Sequence, residues 1–205
     1  MPKRFLPSLS DVRIHHRGNT PHWELTGATY SITWRLHDSL PPQAVRRLQE
    51  EREARLRRAG TALQRLEIQR AWETEIDEVL HRTGSARHLA DPRIATLVVS
   101  TLQHFGGIRY ELLAWCVMPN HVHVVIRVCG DMPLEKIVHS WKSYTANQAN
   151  KILGRTGTFW QREYYDRIVR DEDDLTRTIT YVLENPVKAG LINWPWVGPP
   201  NSPLI

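Results

Sequence analysis

Hydrophobic and polar residues follow two periods along this chain, and the switches between them mark its elements. From Ala28 to Leu36 the residues Thr29, Tyr30, Ile32, Thr33 and Trp34 are β-branched or aromatic, which predicts a first strand closed by Asp38-Ser39 and Pro41-Pro42. Between Gln43 and Leu80 there is no proline and the only glycine is Gly60, while Leu56, Ala59, Leu63 and Leu66 fall at spacings of three and four. That pattern predicts a long helix or a helical hairpin. Asp91-Pro92 reads as an N-cap followed by a first-turn proline. The stripe Ile94, Leu97, Val98 and Leu102 then carries a helix to Gly106-Gly107. Two strand-like runs, Tyr110 to Val117 and His121 to Val128, flank Met118-Pro119-Asn120 and predict an antiparallel hairpin. A helix follows from Pro133 to about Leu153, then a strand from Phe159 to Arg170, then a final helix from Asp171 to Glu184 ending near Asn185-Pro186.

Strands in runs with helices between them predict an α+β fold: an antiparallel sheet with helices packed mainly on one face, and a long helical insertion, 43–80, after the first strand. Residues 1–22 mix Pro, Arg, His and Asn without a period and are expected to form an irregular arm. One domain then spans 23–192, and 193–205, rich in proline and tryptophan, is expected to be an irregular tail. The insertion carries Arg46, Arg47, Arg52, Arg55, Arg57 and Arg58 in its first half and Glu67, Glu73, Glu75, Asp77 and Glu78 in its second. Such a run reads first as a solvated face with helical ion pairs, and second as a contact for a DNA backbone.

Composition adds a direction. Lys and Arg outnumber Asp and Glu by 27 to 22, a formal charge of +5, which favours phosphates or another acidic surface as a partner. Eight tryptophans add rings that stack on bases wherever they are exposed. Cys116 and Cys129 are the only cysteines, so no disulfide scaffold or CxxC motif exists, and a reducing compartment is expected. The start lacks a continuous apolar stretch and no later segment has transmembrane length, which leads to a cytoplasmic protein with no membrane partner as the expectation.

The chemistry starts at His121-Val122-His123. Alternate strand residues share a face, so the two imidazoles converge while Val122 points to the opposite layer. Neutral imidazole binds divalent metals, and two such ligands leave coordination positions for water or a phosphate oxygen. Taken alone, the motif also fits two histidines on a polar sheet face. The last predicted helix offers Tyr181 and Asn185, whose separation of four residues puts phenol and carboxamide on one face, about 6 Å apart in rise. Tyr144 and Gln148 repeat this arrangement on the preceding helix, and spacing does not choose between the two tyrosines. Tyr164 and Tyr165 lie on a predicted strand with no amide at helical spacing. A zinc site from Cys116, His121, His123 and Cys129 has the right ligand types but the spacing of no finger.

Several ordered motifs resemble one family. They are Trp115-Cys116-Val117-Met118-Pro119-Asn120-His121-Val122-His123, then His139-Ser140-Trp141-Lys142-Ser143-Tyr144-Thr145-Ala146 and Gly157-Thr158-Phe159-Trp160-Gln161. Tyr165-Asp166-Arg167 and the run from Tyr181-Val182-Leu183-Glu184-Asn185-Pro186 through Leu191 complete the set. From Leu97 to Ile192 the chain is similar to the IS200-like Y1 tyrosine transposases of the HUH endonuclease superfamily, and within them to the REP-associated tyrosine transposases.

The resemblance implies a ferredoxin/RRM-like HUH catalytic domain over 23–192, with Tyr181 as nucleophile and Tyr144 as a packing residue. It implies Mg²⁺ or Mn²⁺ held by His121 and His123 with Asn185 as third ligand, where insertion-sequence relatives often have Gln. The implied activity is metal-dependent cutting and rejoining of single-stranded DNA beside REP-like hairpins through a 5′-phosphotyrosine intermediate. The alternative is a domesticated hairpin-binding protein that no longer cuts. Lys142, Arg155, Arg162, Arg167 and Lys188 lie near the implied site in sequence and are expected to contact DNA. A monomer is favoured over a homodimer, as in the REP-associated relatives.

Overall fold

The computed structural model describes residues 13–17, 20–24, 27–82 and 86–199. Its elements run β1 (Arg13–Arg17), β2 (Thr20–Glu24), β3 (Thr29–Arg35), α1 (Pro42–Arg58), α2 (Ala62–Arg82), a 3₁₀ turn (His88–Ala90) and α3 (Pro92–His104). They continue with β4 (Tyr110–Val117), β5 (His121–Val128), α4 (Leu134–Ile152), β6 (Tyr165–Ile168), α5 (Glu172–Lys188) and β7 (Val197–Gly198). The long insertion is a hairpin of two helices, broken where Gly60 stands in the sequence. Five strands form one sheet in the order β6-β3-β5-β4-β7, with every neighbouring pair antiparallel. The α+β class expected from the pattern is the one that forms.

β5 lies at the centre of the sheet and is buried at every position except the half-buried Arg127, so both of its faces must be covered. On one face Val122, Val124 and Ile126 join Ile32, Trp34 and Trp115 beneath Ile94, Val98 and Leu102 of α3 and Ile137, Val138 and Trp141 of α4. Trp34 and Trp141 stack at 5.8 Å between ring centroids. The Trp141 indole N–H donates to Tyr110 Oη at 2.9 Å, and that hydroxyl donates to the Leu102 carbonyl at 2.7 Å. Trp141 and Tyr110 thus keep their polar tips satisfied, while the buried Trp34 and Trp115 indole nitrogens have no hydrogen-bond partner among the described residues.

The opposite face holds α5 and the α1–α2 hairpin, so the helices cover both faces of the sheet where the pattern suggests chiefly one. Ala114, Cys116 and Val125 form an apolar patch for Val182 of α5. Tyr165 meets Trp72, Ile76 and Leu80 of α2. The physical reason lies in β5: its alternating His and Val residues look half polar, yet the polar half is a buried row.

Both termini carry more structure than expected. β1 and β2 pair antiparallel largely within residues expected to form an irregular arm, with Arg17 opposite Thr20. Residues 1–12 of that arm lie outside the described residues. In the expected irregular tail, β7 adds to the edge of β4, the Trp194 indole donates to the Val117 carbonyl at 2.8 Å, and the Val117 N–H donates to the Trp196 carbonyl at 2.8 Å. Residues 200–205 are again outside the described residues. The strand expected over 159–170 contracts to Tyr165–Ile168, leaving Trp160 in a lone bridge to Leu36.

α5 runs past Asn185, with Pro186 inside it. It stops at Gly190, whose φ of +73° favours glycine, where the Gly190 N–H donates to the Val187 carbonyl and the Leu191 N–H to the Pro186 carbonyl. Asn185 is therefore a helix-interior residue, fully buried, rather than a cap before proline. This extra turn carries its side chain toward the site.

Candidate metal and nucleophile centre

Cross-strand register builds the floor. His123 lies opposite Thr33 on β3 and Cys116 on β4, and His121 opposite Arg35, so both imidazoles rise from one face of the sheet. They are buried, with Nε2 atoms 2.9 Å apart. Their outer nitrogens are held: His121 Nδ1 lies 2.6 Å from Asn120 Oδ1, and His123 Nδ1 lies 2.9 Å from Thr33 Oγ1. The Asn120 amide N–H₂ donates to the Leu80 carbonyl at 2.9 Å, which turns its oxygen toward His121 and makes His121 Nδ1 the donor. The His121 Nε2 lone pair then faces the interior of the site, and Thr33 Oγ1 can do the same for His123 by accepting from its Nδ1. Burial, with the neighbouring imidazoles, holds His121 well below the ordinary histidine range and His123 down to about 3, so both rings are neutral.

The roof comes from the two helices on that face. α5 brings Tyr181, half-buried, with its ring centroid 6.0 Å from that of His123. α2 brings Asp77, whose Oδ2 lies 3.3 Å from His123 Nε2 and whose Oδ1 lies 3.9 Å from His121 Nε2. The Tyr181 hydroxyl donates to Asp77 Oδ2, and the Asn185 amide N–H₂ approaches the same oxygen at 3.5 Å. Asn185 Oδ1 sits 3.1 Å from Nε2 of His81, the next site-facing residue of α2. Lys188 Nζ lies 4.9 Å from the centroid of the Tyr181 ring.

Asp77, His121 and His123 present ligand atoms that all lie within 4.8 Å of one another. Adjacent ligands of a divalent ion bound at about 2.1 Å stand about 3 Å apart, so separations of 2.9, 3.3 and 3.9 Å fit a cation among them. Two neutral imidazoles and one carboxylate suit a divalent metal of intermediate hardness. Burial pushes the Asp77 carboxyl up to about 7, against the hydrogen bond from Tyr181 and the charge of His81. Burial also raises the Tyr181 phenol, and the negative charge of Asp77 raises it further.

The structure brings His121, His123, Tyr181 and Asn185 together, as their sequence positions suggest. The residue that sequence reasoning missed is Asp77, which occupies the position by the imidazoles expected for Asn185. Its signal was available: Glu73, Asp77 and His81 recur every four residues and share one face of α2. The helical pairs expected of a solvated face form only in part: Arg47 stands beside Glu51 and Arg57 beside Glu53, each at 3.8 Å, but Arg55 pairs across the hairpin with Glu75 at 2.7 Å and Arg52 is buried, donating to Gln69.

Tyr144 lies on α4, across the sheet, where it is 53% exposed and lines a cavity of about 390 Å³ between α3 and α4. Of the five basic residues, Lys188 lies over the Tyr181 ring and Arg167 lines a cavity together with Tyr181. Lys188 is exposed and pairs with Glu184 at 3.2 Å. Lys142 donates to the Gln161 and Arg162 carbonyls, both at 2.7 Å, and the Arg162 residue is exposed. Arg155 contacts His88 Nε2 at 2.8 Å and the Thr158 carbonyl at 3.2 Å. Arg167 is buried and committed to Glu73 at 3.2 Å, Asp174 at 3.3 Å and Thr178 at 2.6 Å. Trp34, Trp72, Trp115, Trp141, Trp160 and Trp196 are core residues and offer no exposed stacking platform. Of the proposed zinc ligands, Cys116 is buried in the apolar patch under α5 and Cys129 is exposed, and neither joins the Asp77, His121 and His123 group.

Comparison with known proteins agrees with this geometry. Residues 87–185 match the family model Y1_Tnp, described as "Transposase IS200 like". A protein of Haemophilus influenzae described as a REP-associated tyrosine transposase is 26% identical over 110 residues, covering 47% of this chain and 61% of that protein. The chain thus matches less than two thirds of the length of that relative. The solved structure of a REP-associated tyrosine transposase bound to a REP hairpin superposes with a TM-score of 0.52 at 15% identity, covering 89% of this chain and 81% of the other. At that identity the likeness is one of fold.

Proposed function

We infer that this chain, whose residues 87–185 match the IS200-like transposase family model, cuts and rejoins single-stranded DNA beside REP-like hairpins through a covalent bond to Tyr181. The observation that supports the reading best is the hydrogen bond from the Tyr181 hydroxyl to Asp77 Oδ2, next to His121 and His123. A phenol is a poor nucleophile until it loses its proton, and here a carboxyl held near neutrality is in direct contact with that proton.

In the proposed reaction Asp77 Oδ2 takes the Tyr181 proton and the phenolic oxygen attacks the phosphorus. The bond to the 3′ oxygen breaks and that oxygen takes a proton from water, leaving a 5′-phosphotyrosine and a free 3′ hydroxyl. Return attack by a 3′ hydroxyl on the phosphotyrosine rejoins a strand without ATP. Asp77, His121 and His123 would hold Mg²⁺ or Mn²⁺, with the Asn185 amide beside them as a further oxygen donor. When bound, such an ion supplies Lewis-acid stabilisation of charge on the non-bridging phosphate oxygens. In this reading the chain acts as a monomer. No helix among the described residues is long and apolar enough to cross a membrane.

Incubation with Mn²⁺ and labelled hairpin DNA carrying single-stranded flanks tests the reading. The expected result is an adduct that survives denaturing electrophoresis, vanishes in Tyr181→Phe and persists in Tyr144→Phe. Hairpin binding without any adduct would replace the reading with that of a hairpin-binding protein, and loss of the adduct only in Tyr144→Phe would move the nucleophile.

A further inference from the structure

The metal ligands are almost closed off: His121, His123, Asp77 and Asn185 are at most 3% exposed. Tyr181 is the half-buried member, so a strand approaching the centre meets the tyrosine side first. On that side lies a cavity of about 180 Å³ in the seam between α2 and α5, lined by Arg70, Glu73, Thr74, Arg167, Asp174, Arg177, Thr178 and Tyr181. Three arginines there face two carboxylates.

Two of the arginines are already spent. Arg70 pairs with Asp174, and Arg167 pairs with both Asp174 and Glu73. Arg177 is exposed and makes no ion pair among the described residues. The cavity therefore has one excess positive charge, and it is carried by the side chain that reaches solvent. Arg177 precedes Tyr181 by four residues on α5, so the two share a helix face and stand about 6 Å apart along the axis. That is comparable to the step from one phosphate to the next in an extended strand.

We propose that this cavity is a backbone subsite, in which Arg177 binds the phosphodiester of single-stranded DNA next to the one attacked by Tyr181. The proposal rests on the cleavage reading for its register, but not for its binding chemistry. Guanidinium offers paired N–H donors to phosphate oxygens, and the fixed pairs of Arg70 and Arg167 hold the cavity walls in place. Arg177 is a positioning residue: it holds the neighbouring phosphate, while the reaction takes place at Tyr181.

Binding and cleavage test separate parts of this inference. Affinity for single-stranded oligothymidylate is measured against salt for the wild type, Arg177→Ala, Arg177→Lys and Arg57→Ala, the last an exposed control on α1 outside the cavity. One lost phosphate contact on a single strand makes the slope of log K against log salt shallower by about 0.7. Arg177→Ala is expected to show that change and Arg177→Lys to keep most of the slope, with Arg57→Ala unchanged. An unchanged slope in Arg177→Ala, or an equal loss in Arg57→Ala, overturns the subsite.

Adduct formation is then compared on hairpin DNA in which single flanking phosphates are replaced by neutral methylphosphonates. One position is expected to slow the wild type about tenfold and to have no further effect in Arg177→Ala. Independent, multiplicative losses overturn the assignment of that phosphate to Arg177. If the wild type forms no adduct while Arg177→Ala still flattens the salt dependence, the cleavage reading fails and the subsite stands. If the wild type forms the adduct while Arg177→Ala leaves the salt dependence unchanged, the subsite fails and the cleavage reading stands.

Discussion

Asp77→Asn is the most informative single change, because it keeps the shape of the side chain and an acceptor for the Tyr181 hydroxyl while removing a buried charge. In the metal-free protein, burial raises the Asp77 carboxyl from 3.8 to about 7. A group with a raised folded-state value binds its proton more tightly in the folded chain, so the folded state is favoured at low pH and loses ground as pH rises. The loss runs from about 4, where the unfolded carboxyl ionises, to about 7, where the folded one does. At about 1.4 kcal/mol per pH unit it reaches about 4 kcal/mol. Glu73, one turn earlier on α2, is also pushed up to about 7 by burial and is raised in part by the charge of Asp77, so its response to the substitution has the same sign. Urea unfolding in chelator across this window, for wild type and Asp77→Asn, isolates the effect as a difference in which the other titrating groups cancel. The stability of Asp77→Asn relative to wild type should increase by up to about 4 kcal/mol between pH 4 and 7. A gap that stays flat or narrows would refute the claim that Asp77 is buried without a compensating cation. Mn²⁺ at a hundredfold excess over its dissociation constant should stabilise the wild type by about 2.7 kcal/mol and so narrow that gap at neutral pH.

Three further outcomes follow from the same contacts. Thr33→Val removes the partner of His123 Nδ1 and should weaken Mn²⁺ binding about 10- to 100-fold by calorimetric titration, with little change in fold. Asp174→Ala removes the buried carboxylate shared by Arg70 and Arg167, leaving Arg167 with Glu73 as its ion-pair partner, and should cost about 3 kcal/mol in urea unfolding. Trp141→Ala opens the aromatic layer on the far face of the sheet and should cost about 3–5 kcal/mol in the same assay.

The sheet and its helices were legible because the chain announces them with strong local signals. Asp91 caps α3 by accepting from the Arg93 N–H, as the Asp-Pro pair suggests, and β4 and β5 run over the residues their alternation marks. Less legible was the number of covered faces. His121 and His123 look like a polar face in sequence, and only the packing of α2 and α5 above them makes that row a buried one. The site divided along similar lines. His121 and His123 stand out by spacing within β5, whereas Tyr181 and Asn185 share their spacing with Tyr144 and Gln148 and were singled out by the family motif. Asp77 reaches the site from more than 40 residues before His121, on a helix whose many ionic residues look alike in one dimension. What distinguishes it is the period of four shared with Glu73 and His81, which becomes meaningful once α2 is known to lie on the sheet. Arg167 shows the converse, since a basic residue in a family motif suggests a DNA contact and is found closing a buried ion-pair network.

The central claim is a covalent bond between Tyr181 and the 5′ phosphate of a cut strand. Mass spectrometry of the nuclease-trimmed, protease-digested adduct should find a nucleotide on the peptide containing Tyr181, and the released strand should end in a 3′ hydroxyl that a polymerase extends. A nucleotide on Tyr144 or another residue, or a released strand ending in 3′ phosphate, would contradict the account.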